Sequence, residues 1–214
     1  MIITIYSNNG GTGKTTIAIT LATFLQQVHK KDIELCTLHD NSQSYEYIKS
    51  IVAENNTSDS AESYPIHEIS SINDIRKDTN SESEGITIID MNAPANLTIL
   101  ENSDLVLLPV TNNKIDLIKI FKNEFIDWNK SYIAFNCAPV KYQNEKIFKP
   151  FLEEIKELEK QYEKSVKCAP FIYENHNLRH TDSLPISLKE IDKCRPFVDF
   201  IAAKLNLGLV PETK

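Results

Sequence analysis

Short apolar runs alternate along the chain with segments whose apolar positions recur at helical spacing. Several runs are nearly continuous, such as Ile86-Thr87-Ile88-Ile89 and Leu105-Val106-Leu107-Leu108, as in strands that are buried on both faces of a sheet. This alternation predicts an α/β fold, a doubly wound and mostly parallel sheet of about seven strands with helices on both faces. The strands are expected near 2–6, 33–38, 65–69, 86–90, 104–110, 131–136 and 167–172, and the helices near 15–29, 44–54, 114–129, 144–163 and 187–206.

The length and composition favour one domain. A chain of 214 residues can bury a sizeable core, and we find neither an internal repeat nor a composition break that would mark a linker. We therefore predict a single domain over residues 1–214. No apolar run reaches the roughly 18 residues of a membrane span, and the first residues lack the features of a signal peptide. These observations predict a cytoplasmic protein with no membrane partner.

Glycine is concentrated near the start of the chain. Three of the five glycines are Gly10, Gly11 and Gly13, and Lys14 follows at once. They lie between the first predicted strand and the first predicted helix, where backbone N–H groups and the positive end of a helix can meet an anion. This context predicts a cradle for a nucleoside triphosphate, with Lys14 on the β- and γ-phosphates and Thr16 on the α-phosphate. The predicted nucleotide-binding residues of the loop are Asn9, Gly10, Gly11, Thr12, Gly13, Lys14, Thr15 and Thr16.

Phosphate chemistry also needs a metal site, because Mg²⁺ neutralises phosphate charge and prefers oxygen ligands. Thr15, directly after the lysine, offers a hydroxyl oxygen. Asp90 follows the apolar run 86–89 and is expected at the carboxyl edge of the sheet, where ligands of open α/β sheets bind. We predict Thr15 and Asp90 as metal ligands, ATP and Mg²⁺ as cofactors, and Lys14 and Asp90 as catalytic residues.

The loop differs from the commonest P-loop, because Asn8 stands where that pattern has glycine, and it fits the deviant form x-G-G-x-G-K-T-T. The chain thereby resembles the partition and cell-division ATPases typified by ParA and MinD. The resemblance extends to Asp40-Asn41-Ser42-Gln43-Ser44, Asp90-Met91-Asn92-Ala93-Pro94, the strand 103–110, Tyr132-Ile133-Ala134-Phe135-Asn136, Pro170-Phe171-Ile172 and Leu184-Pro185-Ile186. It implies that Asp40 positions the attacking water as a third catalytic residue, that Asn136 hydrogen-bonds the purine, and that Pro170 belongs to the nucleotide site.

One position departs from that family. Its members carry a signature lysine before the glycine pair, which reaches the phosphates of the partner subunit in a nucleotide-sandwich dimer, whereas this chain has Asn9. Asparagine brings no positive charge to the transition state. The chain is then either a slow ATPase that uses nucleotide as a conformational switch, or an ATPase to which another cation, such as Lys114 or a partner residue, supplies the charge. The resemblance also implies a homodimer on ATP binding.

The charge distribution bears on nucleic-acid binding. The net charge of −7 argues against a uniformly basic protein, yet residues 141–214 hold 13 Lys and Arg against 12 Asp and Glu. Partition ATPases bind DNA non-specifically, so the resemblance implies Lys189, Lys193 and Arg195 as candidate DNA contacts; ordinary surface charges are the alternative. The resemblance is to the short kind without an operator-binding extension, and it implies a separate centromere-binding partner and, if DNA is bound, a nucleoid location.

The predicted function is therefore an ATP-binding, slowly hydrolysing ATPase that acts as a nucleotide-dependent dimerisation switch in plasmid or chromosome partition. Two alternatives stay open. A small-molecule enzyme of the dethiobiotin-synthetase-like group shares the fold and the loop, and a protein-only positioning ATPase would not bind DNA. An iron–sulfur protein is disfavoured, because Cys36, Cys137, Cys168 and Cys194 are widely spaced.

Overall fold

The computed structural model describes residues 1–38, 45–50, 64–75, 85–111, 113–136, 145–170, 172 and 194–207. The strands are β1 (Ile2–Ser7), β2 (Ile33–Leu38), β3 (Ile66–Ile69), β4 (Ile86–Asn92), β5 (Leu105–Val110), β6 (Ser131–Phe135) and β7 (Lys167–Cys168). The helices are α1 (Lys14–Gln27), α2 (45–50), α3 (Leu97–Asn102), α4 (Lys114–Phe121), α5 (Glu145–Tyr162) and α6 (Arg195–Lys204), and a 3₁₀ turn covers Ile72–Asp74.

The described strands form one seven-stranded sheet in the order β3-β2-β4-β1-β5-β6-β7, and every pair of neighbours is parallel. β1 lies in the middle of the sheet, between β4 and β5. The predicted doubly wound α/β architecture is confirmed. The glycine loop that follows β1 therefore opens at the carboxyl edge between two buried strands, where open α/β sheets bind ligands.

Side chains alternate between the two faces of the sheet, as the two-residue period of a strand requires. Ile3 and Ile5 pack into a core with α1, α2 and α6, whereas Ile2 and Tyr6 pack into a second core with α3, α4 and α5. Helices thus cover both faces, which explains the nearly continuous apolar strands of the sequence. In the part of the chain that the structure describes, no helix combines the length and apolar character of a membrane span.

Two predicted boundaries are wrong, and polar side chains explain the larger error. α4 ends at Phe121, not near 129, because Asn123 and Asp127 accept hydrogen bonds from the N–H groups of Phe125 and Asn129, both at 2.9 Å, and so form turns that compete with the helix. β4 continues two residues past the predicted end at 90. Met91 and Asn92 still pair with β1, so Asp90 lies inside the strand.

Two smaller differences concern weak signals. β7 ends at Cys168, before Pro170, although the N–H groups of Ala169 and Ile172 still donate to carbonyls of β6. The short helix α3 was not predicted, because its six residues are too few to show a period. Pro196 stands in the first turn of α6, as expected for a helix start, and residues 187–193 of the predicted helix lie outside the described residues.

Candidate nucleotide-binding site

The glycine loop connects the carboxyl end of β1 to the first turn of α1. Gly11 and Gly13 have φ angles of +73° and +84°, in the left-handed region that glycine adopts without cost. Gly13 is the residue before the helix, so its conformation sets the direction in which the free N–H groups of the first helical turn point. The predicted strand–loop–helix context is present, and the loop backbone forms the wall of the site.

Lys14 is the first residue of α1 and is only 6% exposed. Its ammonium donates a 2.9 Å hydrogen bond to the backbone carbonyl of Asn9, across the loop. Burial lowers the pKa of Lys14 below the ordinary lysine value, and the Asp90 carboxylate opposes part of that effect. The lysine is thus held at the loop by an acceptor that a phosphate oxygen could replace.

Asp90 lies on the sheet face that α1 covers, directly beneath the start of that helix. The Thr15 hydroxyl donates to Asp90 Oδ2 at 2.5 Å, while Asp90 Oδ1 is buried and has no hydrogen-bond partner within the described residues. Burial raises the pKa of Asp90, and the Thr15 hydrogen bond and the Lys14 charge oppose it only in part.

An orphaned, buried carboxylate oxygen next to a hydroxyl is the donor set that Mg²⁺ prefers. The two residues predicted as metal ligands therefore meet, although 75 positions separate them. They fit a magnesium ion, which would draw charge away from the phosphates when bound. The meeting of Thr15 and Asp90 depends on the register of β4 beside β1, which the sequence does not contain.

Asn136, predicted to bind the purine, follows β6 and is buried behind the loop. Its Nδ2 donates to the backbone carbonyl of Thr12 at 2.9 Å. A Cβ atom at Gly13 would lie 1.7 Å from that same nitrogen, so Asn136 occupies the space that a side chain at position 13 would need. In this structure the amide supports the loop from behind, which is a role that the sequence analysis did not foresee. Pro170 is half-buried two residues after β7.

Side chains of α4 contact the front of the loop, and the sequence analysis missed them. Asn9 donates through Nδ2 to Asp116 Oδ1, and Lys119 donates to Asn9 Oδ1 at 2.6 Å. The Thr111 hydroxyl donates to the other Asp116 oxygen at 2.8 Å. α4 follows β5, the neighbour of β1, so its first two turns come next to the loop. The signal available in the sequence was the polar pair Asp116 and Lys119, three positions apart in an otherwise apolar part of the helix.

Lys114, considered from sequence as a substitute cation, is engaged elsewhere. Its ammonium forms a 2.5 Å ion pair with Glu154 of α5. At the other end of α4, the Lys164 ammonium donates to the carbonyls of Phe121 and Asn123 at 2.6 and 3.2 Å. The first turn of α4 is thus attached to α5, and its last turn is attached to Lys164, two residues after α5 ends.

The remaining predicted residues are not part of this cluster. Asp40 of the first switch and the DNA candidates Lys189 and Lys193 lie outside the described residues. The third DNA candidate, Arg195, donates through Nε to both carboxylate oxygens of Asp199 at 3.0 Å and lies 5.8 Å from the centre of the Phe24 ring. Its charge is therefore partly neutralised within α6. Gly10 lies in the loop, where no described residue crowds it, and Thr16 lies in the first turn of α1.

Comparison with solved structures gives consistent matches over the whole chain. A plasmid partition protein from Borrelia burgdorferi bound to AMPPNP is 18% identical, with a TM-score of 0.59 over 95% of this chain and 98% of that one. The MinC:MinD cell division complex of Aquifex aeolicus gives 15% identity and a TM-score of 0.61 over 100% and 98%. The ParA protein of pNOB8 bound to nonspecific DNA gives 14% and 0.57 over 97% and 99%.

The chain has the fold of the ParA/MinD-type ATPases. That agreement confirms, at the level of the fold, the resemblance drawn from the glycine loop. No family model matches the sequence, and no curated protein matches it either. At identities of 14–18% the likeness concerns the fold, and the function follows from the site.

Proposed function

We propose that the protein binds ATP with Mg²⁺, hydrolyses it slowly, and acts as a ParA-like, nucleotide-dependent dimerisation switch in plasmid or chromosome partition. The observation that carries the proposal is the convergence of Lys14, Thr15 and Asp90 on one glycine loop. The buried ammonium of Lys14 suits the phosphates of a nucleoside triphosphate. The Thr15 hydroxyl and the buried Asp90 carboxylate, which has an orphaned oxygen, suit the metal ion.

Each residue has a role that its position permits. The Lys14 ammonium exchanges the Asn9 carbonyl for phosphate oxygens, while the free N–H groups of the loop and of the α1 terminus hold the same anion. Thr15 and Asp90 hold the metal. Asp40, from its place after β2, orients the attacking water. Asn9 lacks the charge of a signature lysine, so slow turnover is expected where no other cation supplies that charge.

Partners are proposed from the similar structures. One of them contains ParA with nonspecific DNA and another contains MinD with MinC. We infer that ATP assembles a two-fold homodimer, that this dimer binds DNA non-specifically through the C-terminal third, and that a separate centromere-binding protein engages it. The balance of 13 basic against 12 acidic residues in 141–214 supports that location over the acidic remainder of the chain.

Nucleotide binding is tested by calorimetry with ATP and Mg²⁺ on the wild type and on Lys14→Ala. Binding should be lost in Lys14→Ala and kept in Lys122→Ala, an exposed lysine at the end of α4. Light scattering should then show a dimer with ATP and a monomer with ADP. Unchanged affinity in Lys14→Ala would contradict the site. Asp40→Ala should reduce turnover and leave ATP affinity nearly unchanged.

DNA binding is tested on the ATP-bound protein with the triple neutralisation of Lys189, Lys193 and Arg195. The triple variant should bind DNA more weakly and with a flatter salt dependence, at unchanged ATP affinity. Because Asp199 already pairs with Arg195, that residue should contribute least. A dimer that shifts no DNA at low salt would favour the protein-only positioning role. A monomer that consumes ATP only with a small molecule would favour the dethiobiotin-synthetase-like enzyme.

A further inference from the structure

Lys119, in the second turn of α4, places a second ammonium on the glycine loop. Its Nζ lies 2.6 Å from Asn9 Oδ1, and the Lys14 ammonium lies 2.9 Å from the backbone carbonyl of the same asparagine. Two lysines that are 105 positions apart in the sequence therefore donate to one residue, directly before the glycine pair.

The orientation of the asparagine amide is fixed by its neighbours. Its Nδ2 donates to Asp116, whose other carboxylate oxygen already accepts from Thr111. The opposite orientation of the amide would place its oxygen against a carboxylate, where no donor is present, and its NH₂ group against an ammonium, where no acceptor is present. The amide oxygen therefore faces outward and holds the ammonium of Lys119 at the entrance of the loop.

Lys119 differs from the other lysines in and directly after α4, because its ammonium contacts the glycine loop. Lys114 forms an ion pair with Glu154, and Lys122 lies on an exposed turn directly after the helix. The backbone carbonyl of Lys119 also accepts a weak 3.5 Å contact from Asn8. Asn8 and Asn9 thus both contact Lys119, which together with Asp116 joins the helix to the loop.

We propose that Lys119 supplies positive charge to the triphosphate held by its own chain, in place of the missing charge at Asn9. The proposal rests on the proposed ATP site. The exposed side chain can leave the neutral amide oxygen for a phosphate oxygen, which is a stronger acceptor because it is charged. Its effect is larger for a triphosphate than for a diphosphate, because more negative charge then lies at the loop.

The experiment compares Lys119→Ala with Lys114→Ala and Lys122→Ala, and measures affinity for AMPPNP and ADP together with kcat for ATP. Lys119→Ala should weaken AMPPNP binding about fivefold and ADP binding less, and lower kcat about tenfold. Both controls should stay within about twofold of the wild type, the spread expected of surface changes. Lys119→Arg should keep most of the turnover. Equal melting temperatures establish that the variants fold alike.

The substitution Asn9→Lys, which places a positive charge at position 9, distinguishes an electrostatic role of Lys119 from a structural one. Asn9→Lys in the wild type adds an ammonium beside Lys119 and should change kcat less than about twofold, whereas in the Lys119→Ala background it should restore most of the lost turnover. The proposed role of Lys119 is wrong if Asn9→Lys raises kcat equally in both backgrounds, or if Lys119→Ala matches Lys122→Ala in every measurement. Either result leaves the proposed ATP site intact. A wild type that binds no nucleotide overturns the proposed function as well.

Discussion

The side chain of Asn136 fills the space that a Cβ atom at Gly13 would occupy, since that atom would lie 1.7 Å from Asn136 Nδ2. The same nitrogen donates to the Thr12 carbonyl at 2.9 Å. The end of β6 therefore determines which residue can stand before α1. The need for glycine at position 13 comes from this contact as well as from its positive φ angle.

Gly13→Ala should lower the free energy of unfolding by about 2–3 kcal/mol, and Tm by roughly 4–10 °C, because the methyl group displaces Asn136 and the residue is strained at positive φ. Gly10→Ala is the matched control, since no atom of the described residues lies within 4 Å of its Cβ position. It should cost less than about 0.5 kcal/mol. The measurement is thermal and urea unfolding of the free protein.

The cause can be separated in a double variant. In the background of Asn136→Ala the clash is gone, and Gly13→Ala should cost only about 1 kcal/mol, from the positive φ. An equal cost of Gly13→Ala in both backgrounds would show that Asn136 does not limit this position.

Asp90→Asn should stabilise the free protein. Burial raises the pKa of Asp90, so the ionised carboxylate is less favourable in the folded chain than in the unfolded one, and stability falls as the pH rises through that raised pKa. A neutral amide removes the penalty at neutral pH, by an amount on the order of 1 kcal/mol or roughly 2–4 °C in Tm.

The control for Asp90→Asn is Asp32→Asn, an exposed aspartate before β2, which should leave Tm nearly unchanged. The gain in Tm from Asp90→Asn should shrink as the pH falls toward the ordinary carboxyl range, because a protonated Asp90 is as neutral as the asparagine. The variant should also lose the added stabilisation that Mg²⁺ gives in the presence of ATP. A lower Tm for Asp90→Asn at neutral pH would contradict the assignment of an unsatisfied, buried charge.

Nucleotide affinity should fall at alkaline pH. Burial lowers the pKa of Lys14 in the free protein, while the negative phosphates favour its protonated form, so the complex holds the proton to higher pH than the free protein does. ATP binding between about pH 7 and pH 10 should therefore weaken with rising pH and take up protons. Calorimetry in buffers of different ionisation enthalpy measures that uptake, and an affinity that rises over this interval would contradict it.

The fold and half of the site were predictable because they depend on local patterns. Apolar runs identified the strands, and the glycine loop with Thr15 and Asp90 could be read from spacing and from the end of an apolar run. The contacts of Asn9 were not predictable. Its partners Asp116 and Lys119 are more than 100 positions away and meet it only because β5 pairs with β1.

Other differences have similar physical causes. The end of α4 depends on the turns at Asn123 and Asp127, whose side chains bind the backbone at positions where the apolar period alone favours a helix. The family resemblance assigned Asn136 to the purine, whereas the contact of its NH₂ group with the loop depends on the register of β6 beside β5. Registers of parallel strands leave no local sequence signal.

The attachment of α4 at both of its ends has a dynamic consequence. Lys114 ties its first turn to Glu154, and Lys164 binds the carbonyls of Phe121 and Asn123 at its last. α4 and α5 should therefore open as one cooperative unit, with similar hydrogen-exchange protection of their amides. Lys164→Ala should release the end of α4 and speed exchange there while β1 keeps its protection. Asp116 and Lys119 belong to α4 and contact Asn9 of the glycine loop. A ligand that binds α5 would therefore slow fluctuations of the loop without contacting the loop itself.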